Sequence, residues 1–113
     1  MPKAKFVVYT RPKSPDCEDE YNKWYDETHI PELRALPGFV DARRYKRSTT
    51  TTGPEGVDPS LPEYMAIYDL EADDLQAVFD GLSRAVAAGT IHLADVIQTD
   101  PLPWAGVYEE REA

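Results

Sequence analysis

One fixed order of strand and helix patterns constrains this 113-residue chain more than any other feature. Short segments rich in β-branched and aromatic residues predict four strands, at residues 5–9, 39–46, 64–68 and 104–108. One helical segment follows the first strand and a second follows the third. The order βαββαβ is that of the ferredoxin-like α+β fold, with a four-stranded antiparallel sheet and two helices on one face. Because 113 residues make one ordinary domain, we predict a single domain over residues 1–113.

The first helix has recognisable signals at both ends. Ser14 is a good N-cap and Pro15 a good first helical residue, so the helix is predicted over residues 15–29. Pro31 has no backbone N–H, so the helix is expected either to kink there or to restart with Pro31 in a new first turn. The Pro-Gly pair that follows Leu36 ends the helical pattern.

The second helix is predicted from its apolar spacing and its caps. Asp73 is the predicted N-cap, with Gln76 completing a capping box, and Gly89 closes the helix. The apolar positions lie on one side of the helix: Leu75, Val78, Phe79, Leu82 and Val86. Residues 48–62 read as a loop, and residues 91–100 are an ambiguous connection for which a short helical piece and a short extended piece both stay open.

Both faces of the predicted sheet are apolar. Residues 6–9 and 64–68 lack the alternation expected of an antiparallel sheet with one face in water. Two helices cover only one face, and the other presents an apolar area of roughly 300 Å². Its burial contributes roughly 8 kcal/mol per subunit, against an association cost of about 4–15 kcal/mol. We therefore expect a homodimer in which two sheets pack face to face; the alternative is a monomer whose own loop or C-terminal segment covers the sheet.

Charge and composition exclude several classes of partner. The net charge of −9 argues against nucleic acid and against an anionic membrane surface. No apolar run approaches the ~20 residues that cross a membrane. With one cysteine and no secretory leader pattern, a cytoplasmic location is predicted. Two histidines and one cysteine are too few for a structural zinc site, so no metal is predicted.

The first helix also carries the residues best suited to chemistry. At about 100° per residue, one stripe of the helix is expected to face the sheet. Its members are Cys17, Tyr21, Trp24, Tyr25 and Thr28. His29 lies at the edge of this stripe, with Tyr25 four residues before it and Asp26 three residues before it, both within reach on a helix.

We interpret His29, Tyr25 and Asp26 as candidate catalytic residues. Histidine can take or give a proton near neutral pH. Asp26 is expected to fix the tautomer of His29, and Tyr25 to donate a hydrogen bond to a substrate oxygen. An adjacent carboxylate raises the pKa of His29 and burial lowers it; the sequence does not decide which effect is larger. The alternative for His29 is a helix C-terminal cap.

The candidate substrate-binding residues are Trp24, Tyr21, Arg43 and Tyr68. Arg43 and Arg44 alternate along the second strand, so one of them points to each face of the sheet. One is expected to meet an anionic or carbonyl group in the pocket, and the other to pair with an acid. A simple surface ion pair remains the alternative for the pocket arginine.

The segment of residues 21–45 has the sequence YNKWYDETHIPELRALPGFVDARRY. It contains Trp24-Tyr25, His29-Ile30-Pro31 and Leu33, then Pro37-Gly38-Phe39, then Arg43 or Arg44, and Tyr45. This order resembles the W-Y-x-x-x-H-[IV]-P-x-[LV] block of the EthD-like branch of the dimeric α+β barrel superfamily. The resemblance implies a homodimer and a pocket between helices and sheet that His29 lines.

The same resemblance implies a range of chemistries, because the superfamily includes cofactor-free monooxygenases, isomerases, polyketide cyclases, dehydratases and haem-dependent enzymes. The first hypothesis is a cofactor-independent enzyme that acts on an aromatic or polyketide-like oxygenated molecule by proton transfer through His29. The second is a non-catalytic accessory protein that binds such a metabolite. A metal bound by His29 and Glu32 and a haem bound by His29 are weaker alternatives, because no further ligand or haem attachment pair accompanies them.

Overall fold

The computed structural model describes residues 3–51, 53–56, 61–92, 95–97 and 104–111. Its four strands are β1 (Lys3–Thr10), β2 (Phe39–Lys46), β3 (Tyr64–Glu71) and β4 (Trp104–Glu109). They form one antiparallel sheet in the order β2-β3-β1-β4. The predicted α+β, ferredoxin-like class is confirmed, and each strand lies where the sequence pattern predicts it.

The first helical region is a continuous run of four segments. A 3₁₀ turn (Pro15–Cys17) leads into α1 (Glu18–Trp24), a π-helical turn (Tyr25–His29) and α2 (Ile30–Arg34). Pro31 lies in the first turn of α2, as the restart alternative predicts. At the π turn, the backbone N–H of Ile30 donates to the carbonyl oxygen of Tyr25 five residues earlier.

The second predicted helix is α3 (Leu75–Ala87), and its predicted cap is wrong by one residue. Asp74 is the N-cap, and its carboxylate accepts a hydrogen bond from the backbone N–H of Ala77 at 3.2 Å. Gln76 therefore takes no part in a capping box; its side chain donates to Asp80 at 3.1 Å. Gly89 follows the helix with a φ of 77°, the left-handed conformation expected of a terminating glycine.

Both helical regions pack on the same face of the sheet. Alternate residues of β3 are buried on this face, namely Tyr64, Ala66, Tyr68 and Leu70. Tyr21 of α1 contacts Tyr64 with ring centroids 5.4 Å apart, and Phe79 of α3 contacts Phe6 of β1 at 4.9 Å. Among the described residues, no helix is long and apolar enough to cross a membrane.

A β-bulge in β2 decides which residues of that strand face the helices. Phe39 pairs with Leu70, but Asp41 pairs with Asp69, so Val40 is an extra residue in β2. Because side chains alternate along a strand, the extra residue reverses the side to which all later residues point. Arg44 consequently faces the helices and Arg43 faces the opposite side of the sheet.

Two predicted segments fall partly outside the described residues. The predicted loop over residues 48–62 includes residues 52 and 57–60, which the structure does not describe. The unassigned segment over residues 91–100 includes residues 93–94 and 98–100, which are likewise undescribed.

Candidate active site

The π turn brings His29 into contact with two aromatic rings, which also contact each other. Hydrogen bonds from residue i to i+5 bring residues five apart onto neighbouring turns, and Trp24 and His29 have this spacing. Their rings stack with centroids 4.7 Å apart and an interplanar angle of 25°. Tyr25 meets the same imidazole edge-on, at 5.2 Å and 88°. Three of the site residues predicted from the sequence are thus in direct contact: Trp24, Tyr25 and His29.

The His29 ring is held in its neutral form. The ring is partly buried, and its Nδ1 atom is buried with no hydrogen-bond partner among the described residues. Burial lowers the pKa of His29 to about 4, and the Glu32 carboxylate opposes this shift. Of the two opposing effects that the sequence leaves open, burial is the larger. At neutral pH the imidazole can therefore accept a proton but has none to give as an acid.

Glu32 connects the His29 site to the segment after α3. The backbone N–H of His92 donates to Glu32 Oε1 at 3.0 Å, and His92 Nδ1 lies 2.5 Å from Oε2. Burial acts to raise the pKa of Glu32, but these bonds to His92 lower it overall. The carbonyl oxygen of His92 accepts a hydrogen bond from the Trp24 indole at 3.2 Å. Glu32 and His92 thereby fix the ring that stacks on His29.

Asp26 does not orient His29 in this structure. Its Oδ1 atom lies 3.0 Å from Arg44 Nη1, and its side chain is 61% exposed. The reason is the π turn, which holds one residue more than an α-helical turn, so the residue three positions earlier no longer lies beside His29. Asp26 belongs to an ion pair with β2 instead.

Arg44, and not Arg43, is the arginine that lies beneath the first helical region. Its side chain is only 13% exposed. The Arg44 Cζ atom lies 4.4 Å from the centroid of the Tyr25 ring, and 5.2 Å from the rings of Tyr21 and Tyr64. Arg43 points to the other face of the sheet, where its side chain is 73% exposed and lies 3.6 Å from Asp41. The structure therefore does not bring the predicted binding residue Arg43 into the site.

The two remaining predicted binding residues, Tyr21 and Tyr68, lie deeper than the His29 ring. Both are fully buried. The hydroxyl of Tyr21 lies 2.5 Å from Thr10 Oγ1. The hydroxyl of Tyr68 is buried near that of Tyr25, without hydrogen-bonding geometry to any described residue. Burial raises the pKa of Tyr21, Tyr25 and Tyr68, so all three are neutral hydrogen-bond donors at pH 7.

Two cavities in the described part of the chain lie away from this site. One is bounded by Lys3, Glu71 and Tyr108 near one end of the sheet, and another by Arg47 and Ser14 near the start of the first helical region. His29 lines neither of them, so the pocket expected beneath it stays a prediction. Within the described part of the chain, no group of three His, Cys, Asp or Glu residues is placed to hold a metal ion.

Two solved structures share this fold. An EthD family protein from Bacillus halodurans aligns over 98% of this chain and 100% of its own, with a TM-score of 0.59 and 18% identity. HapK from Hahella chejuensis aligns over 97% of this chain and 92% of its own, with a TM-score of 0.54 and 11% identity. No protein-family model matches the sequence, and no curated protein matches it. The predicted resemblance is therefore confirmed for the fold: the chain is EthD-like in its architecture.

Proposed function

We propose that this protein is a cofactor-independent enzyme that transfers a proton on an aromatic or polyketide-like oxygenated small molecule, with His29 as the base. One observation carries the proposal: a neutral imidazole, in contact with the rings of Trp24 and Tyr25, has a buried Nδ1 with no partner among the described residues. A buried nitrogen left unpaired costs about 1–3 kcal/mol, which a structural histidine avoids by forming a hydrogen bond.

Burial disfavours the protonated form of His29, but two neighbours offset part of that cost once a proton has been taken. A cation over the face of an indole is stabilised electrostatically, and Trp24 presents its face to the ring. The Glu32 carboxylate also favours the protonated form of His29. Both effects act on the imidazolium that forms during the reaction and not on the neutral resting ring. The reactions that fit are isomerisation, cyclisation or elimination beside a carbonyl, or oxygenation that begins with proton removal.

The alternative is a non-catalytic protein that binds the same class of metabolite. Asp26 favours this alternative, because its carboxylate bonds to Arg44 and leaves no carboxylate hydrogen-bonded to His29 among the described residues. Without such a partner, the imidazole is a weaker base. Trp24, Tyr25 and His29 would then serve to bind the metabolite alone.

Hydrogen exchange at carbon separates an enzyme from a binding protein. We expect the protein to catalyse incorporation of deuterium from D₂O beside the carbonyl of at least one compound in a panel of lactones, cyclic ketones and polyketide-like phenols, followed by NMR. Oxygen uptake would identify oxygenation. Binding of panel members without exchange or turnover would contradict the enzymatic proposal and favour the accessory protein.

We also propose that the protein is a homodimer through the uncovered face of the sheet. One row crosses all four strands on this face: Tyr45, Met65, Tyr9 and Trp104. Trp104 is 74% exposed and Tyr108, on the same face, is 69% exposed. An apolar row that spans a whole sheet fits a second copy of the same row packed against it.

Sedimentation equilibrium tests the dimer. We expect a mass about twice the 12.8 kDa of one chain. Trp104→Lys should shift the mass to that of the monomer, because it places a charge within the apolar row. The control is Val86→Lys, which changes an exposed apolar residue of α3 and should leave the dimer intact. A wild-type mass of one chain at micromolar concentration would contradict the proposal.

A further inference from the structure

Several buried polar atoms lie unpaired in the layer between the first helical region and the sheet. Apart from His29 Nδ1, they are Asn22 Oδ1, Arg44 Nη2 and the Tyr68 hydroxyl, none of which has a hydrogen-bond partner among the described residues. Buried polar groups in folded proteins are almost always paired, so a cluster of unpaired ones requires a partner, either an ordered water or a group of a bound ligand.

Arg44 and Tyr68 are neighbours on the same face of the sheet. In the register of β2 and β3, Ala42 stands opposite Tyr68 and Arg44 stands opposite Ala66. Arg44 and Tyr68 are therefore diagonal neighbours, a spacing that long side chains can bridge. The small side chain of Ala66 leaves room for the guanidinium beside the tyrosine rings.

The chemistry of these two groups selects one kind of ligand atom. The Nη2 atom of Arg44 and the hydroxyl of Tyr68 are both hydrogen-bond donors. Asp26 satisfies only the Nη1 side of the guanidinium, and it does so from the exposed rim of the site. Two unpaired donors, one of them cationic, fit an oxygen that carries negative charge.

We propose that Arg44 and Tyr68 bind the carboxylate of a small aromatic substrate. This inference rests on the proposed function, because it assigns a substrate class to the same site. Tyr25 joins the two parts of the site: Arg44 Cζ lies 4.4 Å from its ring centroid, and the His29 ring lies 5.2 Å from it. The proposal places the carboxylate of the substrate at Arg44 and its aromatic ring toward His29, with Tyr25 in contact with both residues.

Benzoate and benzamide form a matched pair of probes for this assignment. They share ring, size and planar head group and differ in charge. In ligand-observed NMR titrations of the full chain, we expect benzoate to bind at least about tenfold more tightly than benzamide. Equal affinities, or no binding of benzoate, would overturn the assignment.

Variants test whether the preference for benzoate over benzamide depends on Arg44 and Tyr68. Arg44→Met should bring the ratio of the two affinities to about one, and Tyr68→Phe, which removes a single oxygen atom, should lower it several-fold. Arg43→Met is the matched control, because it removes the neighbouring arginine from the opposite face and should leave the ratio unchanged. A preference that survives in folded Arg44→Met and Tyr68→Phe proteins would also overturn the assignment.

The failure of this inference is distinguishable from the failure of the proposed function. His29→Gln should abolish exchange at carbon while retaining the preference for benzoate, because Arg44 is untouched. If the protein prefers benzoate through Arg44 but exchanges no hydrogen in any compound, this inference is supported and the enzymatic role is contradicted. Hydrogen exchange at carbon without any preference for benzoate would support the enzymatic role and overturn the inference.

Discussion

Replacement of His29 by alanine should slow deuterium exchange at the substrate carbon by about 10²–10⁴-fold, the usual contribution of a positioned general base. The physical reason is that the neutral imidazole, in contact with Trp24 and Tyr25, is the proposed base. His29→Gln should have a similar effect, because an amide can form hydrogen bonds but does not accept a proton at neutral pH. The rate constant kcat for exchange is the quantity to measure.

Two control variants sharpen this prediction. His92→Ala removes the other histidine, whose side chain is 71% exposed, and should lower the rate by less than about tenfold. Asp26→Asn should also have a small effect, because Asp26 bonds to Arg44 and not to His29. A rate unchanged in His29→Ala would remove His29 from the mechanism. A large loss in Asp26→Asn would instead restore the orienting role that the sequence suggests.

The second large effect is a loss of stability in acid that depends on His29. The pKa of His29 is about 4 in the folded protein, compared with the ordinary value of 6.5 in an unfolded chain. Below pH 6.5 the unfolded chain therefore binds a proton that the folded protein does not, and stability falls until pH 4 is reached. The loss attributable to His29 is on the order of 3 kcal/mol when complete.

Denaturant unfolding of wild type and His29→Gln between pH 4 and 8 measures this contribution. Carboxylates titrate in both proteins, so the difference between the two curves isolates His29. We expect the free energy of unfolding of the wild type to fall more steeply than that of His29→Gln as the pH drops from 6.5 to 4, and the two curves to run parallel above pH 7. Parallel curves over the whole range would show that His29 is not held neutral by burial.

Much of the fold could be predicted because its signals are local. Strand propensity and the periods of apolar residues identify the four strands and the helices, and the proline rules correctly place Pro31 in the first turn of α2. The aromatic stripe of the first helix likewise predicts the burial of Tyr21 and Tyr25. These features depend on residues close together in the chain, so the sequence alone contains them.

The site could be predicted only in part, because two single-residue shifts rearrange it. The π turn moves His29 onto Trp24 and away from Asp26, and the bulge at Val40 turns Arg44 inward in place of Arg43. Neither irregularity has a clear local signal; each arises from how the helix and the strand fit the rest of the fold. The pairing of β2 with β3 is the signal that identifies Arg44, because it places Arg44 on the same face of the sheet as Tyr68.

An NMR titration of the imidazole resonances tests the central claim most directly. The chain has two histidines, so a His92→Gln variant leaves a single imidazole and assigns its signals to His29. A midpoint near pH 4 for His29, as its burial requires, is the predicted result. A midpoint at or above the ordinary 6.5 would show a ring exposed to water, and would contradict the account of a buried neutral base.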